Sequence, residues 1–423
     1  MRLLGQLALG CVAVACAAAP RTLPPTSRIP APASQASAGA VVRPGLEVLI
    51  SDSLHLVLGK RVGLVTNQTA LARDGRHAID VLNEAPGVEL VALFAPEHGI
   101  RGLARPGERI ESGRDERTDL PIHSLYGETR KPTPAMLEGL DVLVFDIQDL
   151  DARTYTYKWT MALAMEAASE AGIPFVVLDR PVPTGGTHVQ GNVLDPAFAT
   201  FVGLHPIALR SGMTTGELAR LFHAEHGIGG ELHVVPVEGW RRDTWFDATG
   251  LTWVAPSPNI PDLESASHYP GTVLFEGTNL SVGRGTERAF QWIGAPWLDG
   301  DALVARLATY RLPGVRVEPA VFTPIDPGDD KYAGETVRGV RFVVTDRAAY
   351  DPVTTAVAAL LEARRLAGDR WEWRIEHFDR LAGSDRLRHA IDALSPLDEI
   401  VAQWADGRER FRTRRERALL YVE

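Results

Sequence analysis

Continuous apolar runs alternate with segments of helical periodicity along residues 60–181. The runs that predict strands are K-R-V-G-L-V-T-N (60–67), V-E-L-V-A-L-F (88–94), the weaker L-P-I-H-S-L-Y-G (120–127), D-V-L-V-F-D-I-Q-D (141–149) and I-P-F-V-V-L-D-R-P (173–181). Helices are predicted around His77–Asn83, over 134–140 and from Tyr157 to Ala171. Strands that are apolar on both faces and separated by helices predict a parallel sheet with helices on both sides, that is, a Rossmann-like doubly wound α/β domain.

Polar residues follow these strands at the points where they end. They are Asn67-Gln68, Glu97-His98, Asp146 to Asp149 and Asp179-Arg180. Because ligands of open α/β sheets bind beyond the carboxyl ends of the strands, these side chains are expected on one rim.

The pattern changes after about residue 235. The segments 257–261 (S-P-N-I-P) and 268–286 are rich in Pro, Gly, Asn and Thr, which favours ordered loops. Strand-like runs follow at 315–324, 337–345 and 371–375, and helices are predicted over 352–367 and 395–418. We therefore predict a smaller α+β auxiliary domain over 236–423, after a Rossmann-like catalytic domain over 43–235.

The first residues have the features of an export signal, with one Arg before a short apolar stretch and small residues. We predict a signal peptide over 1–19 and a disordered Pro/Ala/Ser-rich linker over 20–42. Cleavage after Ala19 and lipidation of Cys16 in an imperfect lipobox (A-V-A-C) are both open. The protein is therefore expected to be exported, and either periplasmic or anchored to the cell envelope by lipid.

Composition excludes several function classes. A net charge of −10 argues against nucleic-acid binding, and the C-terminal run R-E-R-F-R-T-R-R-E-R favours a solvated helix face. Both cysteines lie in the leader, so the body has no thiolate ligand or cysteine nucleophile. The first strand leads into V-T-N-Q-T-A rather than a G-x-G-x-x-G or P-loop motif, and neither H-E-x-x-H nor G-x-S-x-G occurs. No cofactor and no metal are expected.

Three segments carry candidate chemistry. The first, F-A-P-E-H-G-I-R-G (94–102), places Glu97 against an apolar wall that would raise its pKa, although an E-H pair can also simply cap a loop. The second, D-I-Q-D-L-D-A-R-T-Y-T-Y (146–157), combines carboxylates, an arginine and tyrosines, as sugar sites do, although Asp149 or Asp151 can equally cap the following helix. The third, E-G-T-N-L-S-V-G-R-G-T (276–286), is either a ligand-clamping loop or a connection.

These motifs, with S-P-N-I-P, Y-P-G-T-V-L-F-E-G-T-N-L-S-V-G-R-G-T and F-D-R-L-A-G-S-D-R-L-R, resemble the NamZ family of exo-β-N-acetylmuramidases, long known as a domain of unknown function. The resemblance spans about Gly45 to Tyr421. It implies a cleft between two domains, release of terminal N-acetylmuramic acid from peptidoglycan fragments, and a catalytic glutamate at Glu97. Family members commonly have Gly where this chain has Asp151.

The resulting hypothesis makes Glu97 the general acid, oriented by His98, with Asp149, Asp146 or the substrate's own acetamido group stabilising the transition state. Arg153 or Arg284 would pair with the lactyl carboxylate of the sugar, and the tyrosines would stack on its ring. The candidate catalytic residues are Glu97, His98, Asp146 and Asp149, and the candidate substrate-binding residues are Asn67, Gln148, Arg153, Tyr155, Tyr157, Asn259, Glu276, Asn279 and Arg284. The competing hypothesis is an exported sugar- or muropeptide-binding protein without hydrolase activity. The sequence leaves the oligomeric state unknown.

Overall fold

The first half of the chain forms a seven-stranded sheet in the computed structural model, which describes residues 41–422. The described residues contain further strands outside this sheet, and all strands are numbered along the chain. They are β1 (Arg61–Thr66), β2 (Glu89–Ala95), β3 (Gly113–Arg114), β4 (Pro121–Ser124), β5 (Val142–Asp146), β6 (Phe175–Leu178), β7 (Gln190–Val193), β8 (Ala208–Arg210), β9 (Leu232–Val235), β10 (Trp292–Ala295), β11 (Val315–Phe322) and β12 (Val337–Val344). The order in the main sheet is β3-β4-β2-β1-β5-β6-β9. All neighbouring pairs are parallel except β3 with β4.

Helices cover both faces of this sheet. The helices of the described residues are α1 (Gly45–Asp52), α2 (Ala78–Glu84), α3 (Pro134–Leu137), α4 (Tyr157–Ala171), α5 (Thr215–Glu225), α6 (Leu263–Thr272), α7 (Gly300–Leu307), α8 (Pro352–Ala367), α9 (Ile375–Ala382), α10 (Arg386–Asp392), α11 (Leu397–Ala402) and α12 (Ala405–Glu416). Of these, α1 and α2 pack on one face of the main sheet, and α4 and α5 pack on the other. No helix within 41–422 is both long and apolar enough to cross a membrane.

Alternate residues of the central strands enter two different cores. In β5, Phe145 packs with the cluster that includes α4, whereas Val144 packs with the cluster that includes α1 and α2. Val177 and Val176 of β6 divide in the same way. Burial on both faces explains why these strands are continuously apolar, and the predicted doubly wound parallel sheet is confirmed.

A smaller antiparallel sheet, in the order β10-β12-β11, lies in the second half of the chain with α7 and α8 packed near it. The predicted α+β fold of this part is therefore confirmed. The described residues belong to one compact unit, and the division near residue 235 stays a prediction.

Three predictions of secondary structure were wrong. The segment 268–286 is not all loop, because α6 and a 3₁₀ turn occupy Leu263–Gly277. Its glycine at 271 serves packing, since a Cβ there would lie 1.9 Å from the carbonyl oxygen of Pro352 in α8. Residues 371–375 make only one β-bridge, Thr278 to Trp373, and the helix predicted over 395–418 is broken between α11 and α12.

The predicted signal peptide, Cys16 and nearly all of the predicted linker lie outside the described residues. At the end of the linker range, Val42 is buried at 4% exposure and packs with Val182, Val237 and Trp240. The ordered body therefore begins slightly earlier than we predicted.

Candidate active site

The carboxyl ends of four adjacent parallel strands bring the predicted rim together. The order β2-β1-β5-β6 places the residues after them, Glu97, Asn67, Gln148 and Asp179, side by side along one edge of the sheet. Parallel strands end at the same edge of a sheet, so this arrangement follows from the topology.

Glu97 stands at the start of a loop with an unusual backbone. His98, Gly99, Gly102 and Gly107 all have left-handed backbone angles, with φ of 69°, 76°, 70° and 76°. Such angles are costly for residues with a Cβ, which explains why glycines occupy three of the four positions. The loop turns back on itself, and the amide of Gly107 donates to Oε1 of Glu97 at 3.0 Å.

A second hydrogen bond fixes the other oxygen of Glu97. Thr156 Oγ1 donates to Oε2 at 2.7 Å, so the loop after β2 contacts the start of α4. The carboxyl group is half-buried, and two donors from different segments hold it in one orientation. This is how a fold positions an acid that has to meet a substrate atom.

His98 lies inside the loop rather than on the open rim. It is buried, and its Nδ1 is 2.8 Å from the carbonyl oxygen of Ala104. The described hydrogen bond of His98 therefore closes the loop that carries Glu97, and a role of His98 in orienting Glu97 or holding its charge state stays a prediction.

Three tyrosines form the wall next to Glu97. Tyr155 meets Tyr157 and Tyr269 edge to face, with ring centroids 5.1 Å and 5.5 Å apart. Burial raises the pKa of Tyr157 well above its usual value, and the Glu97 carboxylate raises it further. With 1% of its surface exposed and its hydroxyl donating to the carbonyl of Pro256 at 2.6 Å, Tyr157 has no free ring face for the stacking on a sugar that we predicted.

The tyrosine wall connects Glu97 to the 276–286 segment. Tyr269 packs on Phe290 at 4.8 Å, and the guanidinium of Arg284 lies 5.4 Å from the centre of the Phe290 ring. Arg284 pairs with Glu276 at 2.5 Å, with about 15% of each side chain exposed. Two of the three predicted segments, 146–157 and 276–286, therefore approach the third at Glu97.

The four predicted amide residues do not all lie on the rim. Asn67 is fully buried beside Tyr157, and its Nδ2 has no hydrogen-bond partner among the described residues. Gln148 is buried and donates to two backbone carbonyls, those of Asp149 and Pro181. Asn259 is half-buried in the segment whose Pro256 carbonyl meets Tyr157. Asn279 instead donates to the carbonyl of Arg370 at 2.8 Å.

The two candidate aspartates are held in buried ion pairs. Asp146 is fully buried, and both of its oxygens accept from Arg180, at 2.5 Å and 3.0 Å. Asp149 pairs with Nζ of Lys158 at 2.6 Å and also accepts from the backbone amide of Lys158 at 2.7 Å. Burial raises the pKa of Asp149 and Lys158 offsets part of this rise, so that the pKa is about 6. Thr156 rather than Asp149 is the N-cap residue of α4, although the Asp149 carboxylate accepts from an amide of the first turn. Neither carboxylate is free to face a sugar in this arrangement.

Arg153 and Asp151 also have structural partners. Arg153 is 1% exposed, and it donates to the backbone carbonyls of Asn192, Ile207, Leu381 and Ala382. The lactyl-carboxylate role predicted for Arg153 does not fit this buried position. Asp151, where family members commonly have Gly, accepts from the backbone amides of Ser211 and Gly212 and from Arg210, so its carboxylate is bound by structural partners.

Several residues near Glu97 were missed. Thr156 stood inside a motif that we quoted, but its role depends on the fold of the loop after β2. Tyr126 and Arg130 follow β4, and the strand-end rule applied to that weaker strand would have pointed to Tyr126. Phe201, which contacts Arg130, comes from a distant segment and has no local signal.

Within the described residues, no group of three or more His, Cys, Asp or Glu side chains has the arrangement of a metal site. The chemistry that the site offers therefore comes from one positioned carboxyl group, hydroxyl and amide groups, and paired arginines.

Comparisons with known proteins find relatives that align with most of the chain. A family model described as "Exo-beta-N-acetylmuramidase NamZ, N-terminal" matches residues 62–264, and its C-terminal counterpart matches residues 267–421. A Bacillus subtilis protein named peptidoglycan beta-N-acetylmuramidase NamZ is 43% identical over 401 residues, which cover 95% of this chain and 96% of that protein.

Two solved structures of DUF1343 family proteins from Bacteroides fragilis share the fold. One is 36% identical with a TM-score of 0.84, and the other is 30% identical with a TM-score of 0.73. Each alignment covers 90% of this chain and 99% of the other chain, so the similarity includes the seven-stranded and the three-stranded sheet.

Proposed function

The chain belongs to the NamZ family of exo-β-N-acetylmuramidases and is a glycoside hydrolase, and from this premise we propose that it releases terminal β-linked N-acetylmuramic acid from peptidoglycan fragments with Glu97 as general acid. The observation that carries the proposal is the position of Glu97. It is half-buried on the rim, and Gly107 and Thr156 hold its two oxygens.

The chemistry follows from what a glycosidase needs. Cleavage requires a proton for the leaving oxygen and stabilisation of an oxocarbenium-like transition state. Glu97 supplies the proton, and the buried tyrosine wall lowers the local polarity around it. The loop after β2 and the start of α4 are joined through Thr156, which keeps the acid at one distance from the bound sugar.

In this proposal the substrate itself stabilises the oxocarbenium-like transition state. Asp149 and Asp146 are each bound in a buried ion pair, so the acetamido group at C2 of the sugar is the better candidate for stabilising the developing charge. A series of chromogenic muramides with mono-, di- and trifluoroacetyl groups tests this. Rates that fall steeply with each fluorine support participation, whereas equal rates contradict it.

The test of Glu97 is a matched pair of variants. We expect Glu97→Gln to lower turnover of an unactivated muramyl disaccharide by at least ~10²-fold, because an amide cannot deliver a proton. Glu128→Gln is the control, since its side chain is 88% exposed and pairs only with Arg109 in the described contacts. Undiminished turnover by Glu97→Gln, with both variants folded, would remove Glu97 from this role.

The sequence also left open a binding protein that captures muropeptides without cleaving them, and the match to a hydrolase family argues against it. Purified protein incubated with the disaccharide separates the two, because release of free N-acetylmuramic acid requires hydrolysis. We further propose that the protein is exported and acts in the periplasm or from a lipid anchor on Cys16. Mass spectrometry of the mature N-terminus distinguishes cleavage after Ala19 from acylation of Cys16.

A further inference from the structure

An arginine outside the predicted set lies beside Glu97. Arg130 follows β4, which pairs in parallel with β2, the strand that leads into Glu97. The guanidinium carbon of Arg130 is 3.6 Å from the centre of the Tyr126 ring and 4.6 Å from the centre of the Phe201 ring. The guanidinium therefore contacts both rings, whose centroids lie 6.1 Å apart, so the rings meet it from adjacent rather than opposite sides.

The two rings contact adjacent sides of the guanidinium and do not enclose it. Aromatic rings attract the flat face of the group, whereas a carboxylate binds the N–H donors in its plane. Nη1 of Arg130 is buried and has no hydrogen-bond partner among residues 41–422, and no described carboxylate forms an ion pair with this side chain. A buried donor without a partner costs free energy that an anionic ligand would recover.

The hydroxyl of Tyr126 lies close to both the guanidinium of Arg130 and the carboxylate of Glu97. Burial raises the pKa of Tyr126, the Glu97 carboxylate raises it further, and Arg130 lowers it, because the phenol lies close to both charged groups. A ligand at Glu97 therefore has the Arg130 guanidinium within its immediate surroundings.

The other two arginines that we considered are already bound. Arg284 is neutralised by Glu276 at 2.5 Å, so a ligand carboxylate would have to displace a mostly buried partner. Arg153 would have to leave four backbone carbonyls. Arg130 would lose no hydrogen bond to a carboxylate or carbonyl when it binds an anion.

We propose that Arg130, packed against the rings of Tyr126 and Phe201, binds the lactyl carboxylate that distinguishes N-acetylmuramic acid from N-acetylglucosamine. This inference rests on the proposed muramidase function and identifies the residue that selects its acidic substrate. The rings fix the plane of the guanidinium, so little side-chain entropy is lost when the carboxylate binds.

The experiment measures binding, which does not require turnover. Isothermal titration gives the Kd of N-acetylmuramic acid and of its methyl ester, which lacks the negative charge. We expect the wild-type protein to prefer the free acid by roughly 10- to 100-fold, as for a charge-assisted hydrogen bond. Arg130→Met should abolish this preference by weakening binding of the acid alone. Arg109→Met is the control, because Arg109 is exposed and pairs with Glu111 and Glu128.

Two further variants keep the proposal testable if Arg130→Met does not fold. Arg130→Lys retains the charge without the planar fork, and Phe201→Leu removes one ring, so each should weaken binding of the acid more than that of the ester. Equal weakening of both ligands, or an unchanged preference in folded variants, would overturn the assignment. A wild-type protein that binds the acid selectively without cleaving the disaccharide would overturn the proposed function and leave Arg130 in place.

Discussion

Replacing Lys158 with Met tests what the buried ion pair at the start of α4 does. Lys158 is 1% exposed, and its Nζ binds Asp149 and the backbone carbonyls of Leu150, Ala152 and Tyr155. These bonds fold the loop that delivers Thr156 to Glu97. The substitution removes every one of them and leaves the Asp149 carboxylate buried without its cation.

The expected loss of stability is large. Removing one partner of a buried ion pair typically costs ~3–5 kcal/mol. Protonation of Asp149 limits the loss, because burial already raises its pKa to about 6 even with Lys158 present. We therefore expect ~4 kcal/mol, a large share of the ~5–15 kcal/mol that stabilises a typical native protein. Urea unfolding followed by tryptophan fluorescence measures it.

The double variant Asp149→Asn/Lys158→Met distinguishes a structural role of Asp149 from a catalytic one. It removes both charges, and the asparagine oxygen can still accept from the backbone amide at position 158, as Asp149 does at 2.7 Å. If Asp149 only holds the loop, the double variant should regain at least half of the lost stability and return to within about tenfold of wild-type turnover. A stable double variant that remains ~10²-fold slower would refute this reasoning and give Asp149 a direct role in the chemistry.

Two further predictions concern the second half of the chain. Gly271→Ala should destabilise the protein by ~2–4 kcal/mol in urea unfolding, because the new methyl group would lie 1.9 Å from the Pro352 carbonyl oxygen and force α6 away from α8; wild-type stability would show that the two helices separate easily. His268 is fully buried and burial lowers its pKa to about 3, so the unfolded chain binds a proton between pH ~6.5 and ~3 that the native state does not bind. Stability should therefore fall with decreasing pH across this window by up to ~1.4 kcal/mol per pH unit from this residue, and His268→Gln should reduce the slope; parallel wild-type and variant pH profiles of Tm would contradict it.

The sequence predicted the sheet well because its strands are buried on both faces. β5 and β6 consist almost entirely of Val, Leu and Phe, and these residues also predominate in β1 and β2. Their short length and β-branched content favour strands over buried helices. The position of Glu97 followed from the same pattern, since strand ends converge in this topology.

The failures arose where composition and environment point to different structures. Gly271 and Pro270 suggested a loop, but the small residue allows α6 to pack on α8. Asp149 and Arg153 have the chemistry of a sugar site, and only tertiary contacts reveal that Lys158 and backbone carbonyls already bind them. Arg130 gave no signal, because the ring of Phe201 that holds it lies 71 positions away in the chain.

The left-handed angles at His98, Gly99, Gly102 and Gly107 have a consequence for variation of this loop. Four backbone positions set its shape, and residues 103–106 between Gly102 and Gly107 are exposed or half-buried, unlike Ile100, which packs in a core. Leu103, at 85% exposure, is the clearest case. A library that randomises 103–106 while it keeps these four residues should yield many folded proteins, which makes this stretch the natural place to vary the surface of the loop that carries Glu97.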